Sequence, residues 1–353
     1  MKRLLITLCV FCFCVGIIAQ TTDDEKYELA NTYYKAKKYD KAVPILKELA
    51  EKNNAKAINF LGVCYEHGNG LPKDIQTAIK YYEKSATLGW RVAQRNLGIC
   101  NEFGRGMDKN LNVAEEWYKK SIASGDTLAM VRLGWLYLHM LDEYRESSWD
   151  YYFKQSEKWF RQAAKHGHPE GYSGLAWLYY SEGEGQIIEN IEKSTPFFKK
   201  AAEMGNGDAQ LFMGYADMRE NKYESALNWF KQAGKNDADT LEGITPSIGE
   251  TLCTFFINNP EYQYYWDNDC CAIDNYIYPE ADYYLVGATS KGKLGFLKIS
   301  NKGKLLAHTP FIYETGWPHY DTEAKLFHVY LKDPGGEDGR EITIDITGKE
   351  IQQ

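Results

Sequence analysis

Residues 57–62 read Ala-Ile-Asn-Phe-Leu-Gly, residues 93–98 read Ala-Gln-Arg-Asn-Leu-Gly, and residues 129–134 read Ala-Met-Val-Arg-Leu-Gly. The pattern A-x-x-x-L-G therefore returns every 36 residues. Two weaker copies follow after 42 and 38 residues, at Gly171…Leu175-Ala176 and at Ala209…Met213-Gly214. Periods of 20–50 residues are typical of repeat proteins, in which each unit buries its apolar face only against its neighbours.

The second half of each copy carries two adjacent aromatic residues and, later, a glycine. These are Tyr81-Tyr82…Gly89, Trp117-Tyr118…Gly125, Trp159-Phe160…Gly167, Phe197-Phe198…Gly205 and the shortened Trp229-Phe230…Gly234. Around the first pair, apolar or small residues recur at positions 78, 81, 82, 85 and 86, which predicts an amphipathic helix. Each copy is therefore predicted to be a pair of helices, and Tyr27–Ala50 supplies a further pair ahead of them.

Glycines mark both turns of the predicted unit. The closing glycine of each copy suits the left-handed conformation that ends a helix. Between the two helices lie the G-x-G loops Gly68-Asn-Gly70, Gly104-Arg-Gly106 and Gly183-Glu-Gly185, which need a permissive backbone. The small residue of A-x-x-x-L-G is expected to let the first helix approach the second closely, with the aromatic pair filling the space opposite.

These residues resemble the Sel1-like repeat family, which is related to tetratricopeptide repeats. The resemblance rests on A-x-x-x-L-G-x-x-Y (with Tyr65 and Tyr137), on G-x-G, on the aromatic pair followed by K-A/S-A, and on the closing glycine. It covers roughly residues 24–238. The resemblance implies a right-handed α-solenoid of about six helix pairs that acts as a non-catalytic scaffold. The first and sixth pairs lack G-x-G and look more tetratricopeptide-like.

Two further segments do not follow the repeat pattern. A longer aromatic insert, Leu141–Phe153, separates the two helices of the fourth pair. Beyond the last pair, Ile248-Gly249 is followed by Leu252, Phe255 and Phe256 at helical spacing. This spacing predicts a closing helix that covers the end of the stack.

After residue 260 the pattern changes to short β-favouring runs separated by turn residues. The runs are 283–289, 294–300, 305–312, 326–332 and 341–346. The stretch 292–304 is similar to the WG-repeat pattern G-K-W-G-F-I-D-x-x-G-K, with Leu294 where Trp is usual. The predicted fold is a multidomain α plus β chain, with the α-solenoid over residues 20–260 and a small antiparallel, WG-repeat-like β domain over residues 261–353.

Residues 1–19 have the features of a secretory signal peptide. Lys2-Arg3 precedes an apolar run that ends at Ala19, and polar residues follow. Removal of this segment leaves no other stretch of membrane length, so the mature protein is expected to be exported from a bacterial cytoplasm, either periplasmic or secreted. An uncleaved membrane anchor is the alternative.

The charge balance limits the class of partner, and the cysteine positions indicate the state of the thiols. The 353 residues hold 41 basic and 49 acidic side chains, and an acidic surface repels phosphate backbones, so no nucleic-acid partner is expected. Cys64 and Cys100 occupy equivalent repeat positions and are expected to be buried thiols, because stacked repeats hold their Cα atoms beyond disulfide reach. The redox state of the vicinal Cys270 and Cys271 stays open.

The sequence lacks the motifs of several common catalytic and cofactor sites. G-x-S-x-G, H-E-x-x-H and the Rossmann glycines do not occur. Gly287 to Lys293 has the P-loop spacing, but Leu294 replaces the Ser or Thr that would hold Mg²⁺. His166-Gly-His168 has no cysteine or carboxylate cluster nearby, and the acidic loop at Asp267 lacks the terminal Glu of a calcium loop. No catalytic residue, metal ligand or cofactor is therefore assigned.

The leading functional hypothesis is an exported, non-catalytic repeat scaffold that binds a protein or peptide in the bacterial envelope. Repeat arrays create extended concave surfaces that suit this task. Two alternatives stay open: a cell-wall-related enzyme or accessory that binds β-lactams or peptidoglycan, and a structural module of a surface assembly. An envelope glycan is the other partner class. Against the enzyme, the related secreted proteins that bind penicillin-type compounds carry a cysteine pair in each repeat, which this chain lacks.

Binding is expected along the concave face of the first helices. In repeats of this kind the residue directly after A-x-x-x-L-G points there, and the residue four positions earlier lies one turn away on the same face. These positions give the candidate binding residues Asn59, Arg95, Trp135, Trp177 and Tyr215. Exposed aromatic rings make good anchors for a peptide or a sugar ring. The alternative is that the two tryptophans pack between neighbouring helices.

Overall fold

The computed structural model describes residues 22–143, 148–180, 187–236, 238, 245–264, 277–279, 283–290, 293–308, 319–321, 326–331 and 340–344. The predicted signal peptide, the third G-x-G loop and the Cys270-Cys271 pair lie outside these residues.

The described residues form thirteen helices that follow the predicted repeat. They are α1 Asp23–Lys35, α2 Tyr39–Glu51, α3 Ala55–His67, α4 Ile75–Thr87, α5 Arg91–Phe103, α6 Leu111–Ala123, α7 Leu128–Glu143, α8 Trp149–Lys165, α9 Pro169–Tyr180, α10 Ile187–Glu203, α11 Gly207–Arg219, α12 Tyr223–Ala233 and α13 Pro246–Asn258. The helix pairs are confirmed, as is a helix at the position of the predicted closing helix.

Side-chain caps set several helix starts. Asn54, Asp74 and Asn110 accept hydrogen bonds from backbone N–H groups of the following turn at 3.0–3.1 Å. Each of them satisfies donors that would otherwise lack a partner at a helix N-terminus, an arrangement that stabilises a helix by about 1 kcal/mol. The caps therefore fix where α3, α4 and α6 begin.

The glycines predicted to end helices have the expected conformation at all but one of the described positions. Gly68 and Gly104 have φ of 74° and 64°, and the closing glycines at 89, 125, 167 and 205 also have positive φ, as predicted. Gly234 has φ of −63°, so the predicted left-handed cap is wrong there. The reason is that the chain continues through a further turn, in which Lys235 and Asn236 donate backbone hydrogen bonds to the end of α12.

The small residue of A-x-x-x-L-G packs directly on the second aromatic residue of the pair. A Cβ atom added at Gly62 would lie 2.6 Å from the Tyr82 ring, and one at Gly98 would lie 2.4 Å from the Tyr118 ring. Both rings are fully buried. The predicted close approach of the two helices is therefore confirmed, and it leaves no room for a side chain at the glycine.

The fourth helix pair is longer than the others. Both α7, with 16 residues, and α8, with 17, exceed the 13 residues of α3 to α6. Most of the predicted insert 141–153 is thus helical, because the run from Trp149 to Phe153 continues the amphipathic pattern of α8 and the Trp149 and Phe153 rings stack at 4.8 Å. The interpretation of this segment as an insert between the helices is corrected.

The chain forms two compact units, Met1–Trp159 and Phe160–Gln353. The second unit holds the strands β1 Gln263–Tyr264, β2 Ile277–Pro279, β3 Tyr283–Ser290, β4 Lys293–Ser300, β5 Leu305–His308, β6 His319–Asp321, β7 Leu326–Leu331 and β8 Arg340–Ile344. One antiparallel sheet has the order β1-β3-β4-β5, with β2 also paired to β3, and a second has the order β6-β7-β8. The antiparallel β region is confirmed.

The first sheet shares a hydrophobic core with the last helices. Val286, Leu297 and Ile299 are fully buried in one cluster with Phe255 and Phe256 of α13. One hydrophobic core therefore contains residues from both sides of residue 260, where the change of sequence pattern predicted a domain boundary. The separate β domain stays a prediction. Within the described residues, no helix is long and apolar enough to cross a membrane.

Candidate protein-binding surface

The five candidate groove residues differ in exposure. Trp135, Trp177 and Arg95 are half-buried, whereas Asn59 is 7% exposed and Tyr215 is 2% exposed. The prediction that all five present their side chains to a partner is therefore corrected for Asn59 and Tyr215. The groove as a binding site stays a prediction for the others.

Asn59 and Tyr215 are buried because neighbouring elements cover them. Asn96, on the first helix of the next pair, donates a hydrogen bond to Asn59 Oδ1 at 3.0 Å. Tyr215 lies in one hydrophobic cluster with Leu252 of α13 and Tyr264 of β1. The elements that follow the sixth pair thus bury the last aromatic position of the predicted groove.

Arg95 binds within the chain. Its Nη1 lies 2.8 Å from Oδ1 and 2.7 Å from Oδ2 of Asp126, in the turn before α7. Ser121 Oγ donates to the same carboxylate at 3.0 Å, and the backbone N–H of Leu128 donates to it at 3.2 Å. Charge-assisted bonds of this kind are the stronger ones. Arg95 therefore joins the third pair to the start of the fourth.

Trp177 packs edge-on against the core of its unit. Its ring centroid lies 5.0 Å from that of Phe198, at an interplanar angle of 88°, and 6.1 Å from that of Phe212, at 77°. Edge-to-face pairs of this kind add roughly 0.5–1.5 kcal/mol beyond the buried area. The contacts favour the packing interpretation of Trp177, although its remaining exposed part can still meet a partner.

Trp177→Ala is expected to lower the free energy of unfolding by about 3 kcal/mol, because it opens a cavity beside Phe198 and Phe212. Urea unfolding measures the loss, with Trp177→Phe as the matched variant that retains most of the ring contact. An unchanged unfolding curve for Trp177→Ala, together with weaker partner capture, would instead assign the ring to the groove.

A set of polar contacts between side chains, some buried and some partly exposed, was not foreseen from the sequence. Tyr82 donates its hydroxyl hydrogen to Glu66 Oε2 at 2.6 Å, and Arg105 Nη1 lies 3.3 Å from Glu66 Oε1. Glu66 thus accepts a hydrogen bond from a phenol of its own helix pair and lies close to a guanidinium nitrogen from the next pair. Removing one partner of such a buried group costs about 1–3 kcal/mol.

The next pair repeats the arrangement with a histidine. Tyr118 donates to Glu102 Oε2 at 2.5 Å, and His139 Nδ1 lies 3.0 Å from Glu102 Oε1. Glu102 is only 3% exposed. Burial and the neighbouring carboxylate raise the pKa of Tyr118 far above its ordinary value, so this phenol stays a hydrogen-bond donor at any physiological pH.

Later pairs replace these polar contacts with apolar ones. The positions of Tyr82 and Tyr118 become Phe160, Phe198 and Phe230, and the positions of Glu66 and Glu102 become Leu138, Tyr180 and Met218. A buried phenol needs an acceptor and a buried phenylalanine does not. The paired change from Tyr and Glu to Phe and a non-acidic residue is visible in the sequence, and it is the signal that could have predicted the contact.

The described cysteines are buried thiols, as expected for Cys64 and Cys100. Both, with Cys253, are free. Burial raises the pKa of Cys64 and of Cys100 to about 11 and that of Cys253 to about 12. The thiolate is the reactive form of cysteine, so these groups are poor nucleophiles. No group of three or more His, Cys, Asp or Glu side chains among the described residues could hold a metal ion.

The raised thiol pKa values predict a loss of stability at alkaline pH. An unfolded thiol has a pKa of about 8.5, so the contribution of the folded thiols is fully present below that pH. It is lost as the pH rises towards 11–12, because the unfolded state releases protons that the folded state keeps. The free energy of unfolding should therefore fall from about pH 8.5 up to pH 11–12. Cys64→Val/Cys100→Val/Cys253→Val should flatten this dependence, and an equally steep fall in the triple variant would contradict it.

The paired helices, with their glycine–aromatic contacts and cross-pair bonds, define an α-helical repeat protein. More narrowly, the chain belongs to the Sel1 repeat family, whose repeat matches residues 55–90, 91–126, 127–168, 169–206 and 207–237. This confirms the resemblance seen in the sequence. The WG-repeat similarity of the β region stays a prediction. A search of curated protein sequences finds no match to this chain.

Solved structures with a similar fold include three bacterial proteins. A Sel1 repeat protein from Oxalobacter formigenes has 27% identity and a TM-score of 0.49 over 60% of this chain and 84% of its own. A protective antigen with an SLR fold, present in uropathogenic Escherichia coli strains, has 23% identity and a TM-score of 0.48 over 68% of this chain and 50% of its own. An immunity protein from Pseudomonas aeruginosa has 18% identity and a TM-score of 0.42, over 60% of this chain and 83% of its own.

Proposed function

We propose that this Sel1-repeat protein is a non-catalytic scaffold that binds a protein or peptide along its helical repeats, after export to the bacterial envelope. Sel1 repeats generally mediate contacts between proteins. The observation that carries the proposal is the five consecutive Sel1 repeats, because stacked helix pairs present an extended surface.

The buried polar groups support a binding role that depends on a fixed shape. Glu66, Glu102 and Asp126 each bind side chains from more than one helix or loop. Such contacts hold neighbouring pairs in one arrangement. A surface held in this way loses little conformational entropy when a partner binds.

The binding function is tested by capture from bacterial envelope extracts with the purified chain from residue 20 onward. We expect a defined protein to be retained and to be competed away by excess free chain. Trp135→Ala should retain less of it at equal folded concentration. Retention of no protein by the folded wild-type chain would contradict the proposal.

The alternative function is a cell-wall-related enzyme or accessory that binds β-lactams or peptidoglycan. Incubation with a chromogenic β-lactam separates the two functions. We expect no turnover, and turnover by the purified chain would replace the scaffold proposal with the enzyme.

Export has its own test. Residues 1–19 carry the proposed signal, so the mature N-terminus is expected at or near Gln20. Cell fractionation followed by N-terminal sequencing measures this, and deletion of residues 4–19 should retain the protein in the cytoplasm. A mature protein that keeps Lys2 and Arg3 and sediments with membranes would support the uncleaved anchor instead.

A further inference from the structure

The loops inside the first three helix pairs lie side by side. We call residues 35–41, 68–74 and 104–110 the loop ridge. Asn69 donates a hydrogen bond to the Tyr34 hydroxyl at 2.7 Å, which joins the second loop to the first pair. Gln76 Nε2 donates to the backbone oxygen of Gly106 at 2.6 Å, which joins the third loop to the second pair. The three loops thus form one continuous edge of the first unit.

The loop ridge carries an excess of positive charge in an acidic protein. It holds seven Lys or Arg residues and three Asp residues, whereas the whole chain has a net charge of −8. Five of its lysines are exposed, and no ion pair joins them to a carboxylate within the part of the chain that the structure describes: Lys35, Lys37, Lys38, Lys41 and Lys73.

Some lysines elsewhere in the same pairs are neutralised. Lys26 binds Glu48 at 2.5 Å, and Lys52 binds Asp23 at 2.9 Å. Hydrogen bonds from Lys26 and Lys52 lower the pKa of Glu48, which is consistent with a charged, paired carboxylate. Exposed lysines without a carboxylate partner among the described residues also occur outside the ridge, at Lys47 and Lys84, so the ridge is distinguished by the concentration of such lysines in adjoining loops.

Lys37, in the loop ridge, has a backbone conformation that lysine rarely adopts. Lys37 has φ of 58°, and the similar turns at Asn53 and Asn221, with φ of 57° and 58°, use asparagine. Asparagine tolerates the left-handed region better than a long side chain does. The lysine is thus placed against local backbone preference, as is common where a residue serves binding.

The ridge also offers an apolar anchor. Phe103, which directly precedes the third loop, is 48% exposed. The guanidinium of Arg105 lies 5.4 Å from the centroid of its ring. Aromatic residues and arginine are enriched among the interface residues that contribute most of the binding free energy.

We propose that the loop ridge docks an acidic, extended segment of a partner protein, with carboxylates at the unpaired lysines and an apolar side chain on Phe103. This rests on the proposed scaffold function and names the chemistry of its partner. Asp40 and Asp108 lie among the ridge cations, and a long polyanion such as nucleic acid would meet them and the net negative chain. A short acidic peptide carries fewer charges than a long polyanion and therefore meets less of this repulsion.

The test uses a fluorescein-labelled peptide of glutamates around a central phenylalanine, titrated with the full mature chain and followed by fluorescence anisotropy. Lys35→Gln/Lys38→Gln/Lys41→Gln is expected to weaken binding about tenfold. Phe103→Ala should weaken it several-fold. The matched control, Lys47→Gln/Lys84→Gln/Lys200→Gln, removes the same charge from exposed lysines outside the ridge and should bind as wild type does.

Three results would overturn the proposal: equal weakening by the control, equal binding of the peptide with glutamine in place of glutamate, or tighter binding of a single-stranded oligonucleotide or of anionic vesicles. The scaffold function is judged separately. If the ridge variant still captures its envelope partner while the acidic peptide does not bind wild type, only the loop ridge proposal fails.

Discussion

Gly98→Ala is expected to destabilise the protein by roughly 2–3 kcal/mol, although the same change in an ordinary helix stabilises it by about 1 kcal/mol. The new Cβ would lie 2.4 Å from Cε1 and 2.6 Å from Cδ1 of Tyr118. That ring cannot move easily, because it is fully buried and its hydroxyl donates to Glu102 at 2.5 Å. Helix α5 must therefore shift away from α6. The free energy of unfolding in urea measures the loss.

Gly234→Ala is the matched control for this change. Gly234 has an ordinary helical φ of −63°, and the nearest atom to an added Cβ lies 3.5 Å away. The control should therefore be as stable as wild type or slightly more so. Equal stability of Gly98→Ala and wild type would contradict the close contact between α5 and α6.

Arg95→Met is expected to cost about 3 kcal/mol, because it leaves the charge of Asp126 buried without its cation. Asp126 is 5% exposed and lies 2.7 Å from Arg95. Methionine keeps most of the apolar stem of arginine, so the loss reports mainly on the ion pair. Urea unfolding, followed by far-UV circular dichroism, measures it.

The double variant Arg95→Met/Asp126→Asn separates the charge from the shape. It removes the unpaired charge and should recover much of the lost stability. Lys52→Met serves as the surface control, because its ion pair with Asp23 is half exposed on both sides and should be worth only about 0.5 kcal/mol. If Arg95→Met were no more harmful than Lys52→Met, the pair would not hold the third and fourth helix pairs together.

Sequence reasoning predicted the helix pairs because they depend on local signals. The glycine of A-x-x-x-L-G and the buried second aromatic residue recur at a fixed spacing, and the Gly98–Tyr118 contact has the geometry that this spacing predicts. The strands β3 and β4 were foreseen for the same reason, since turn residues bound each apolar run. Interactions within one helix pair can therefore be predicted from the sequence.

Contacts that cross between units were not predicted. Arg95 was assigned to the groove, but its carboxylate partner is 31 residues later. Tyr215 was assigned to the same face, but α13 and β1 cover it. The position of a side chain within its own repeat gives no information on what the next repeat, or the element after the last repeat, places against it. The candidate site was therefore only partly predictable.

The change from tyrosine–glutamate contacts in the second and third pairs to phenylalanine in the later ones bears on how such an array can grow. A gene duplication that copied only the second helix of the third pair, with Tyr118, behind the first helix of the fifth or sixth pair would bring a buried phenol opposite Tyr180 or Met218 instead of a carboxylate. The copied segment would then carry an unsatisfied hydroxyl that costs about 1–3 kcal/mol. The phenol and its carboxylate must therefore be copied together, so this array can grow by duplication of whole helix pairs more easily than by exchange of single helices.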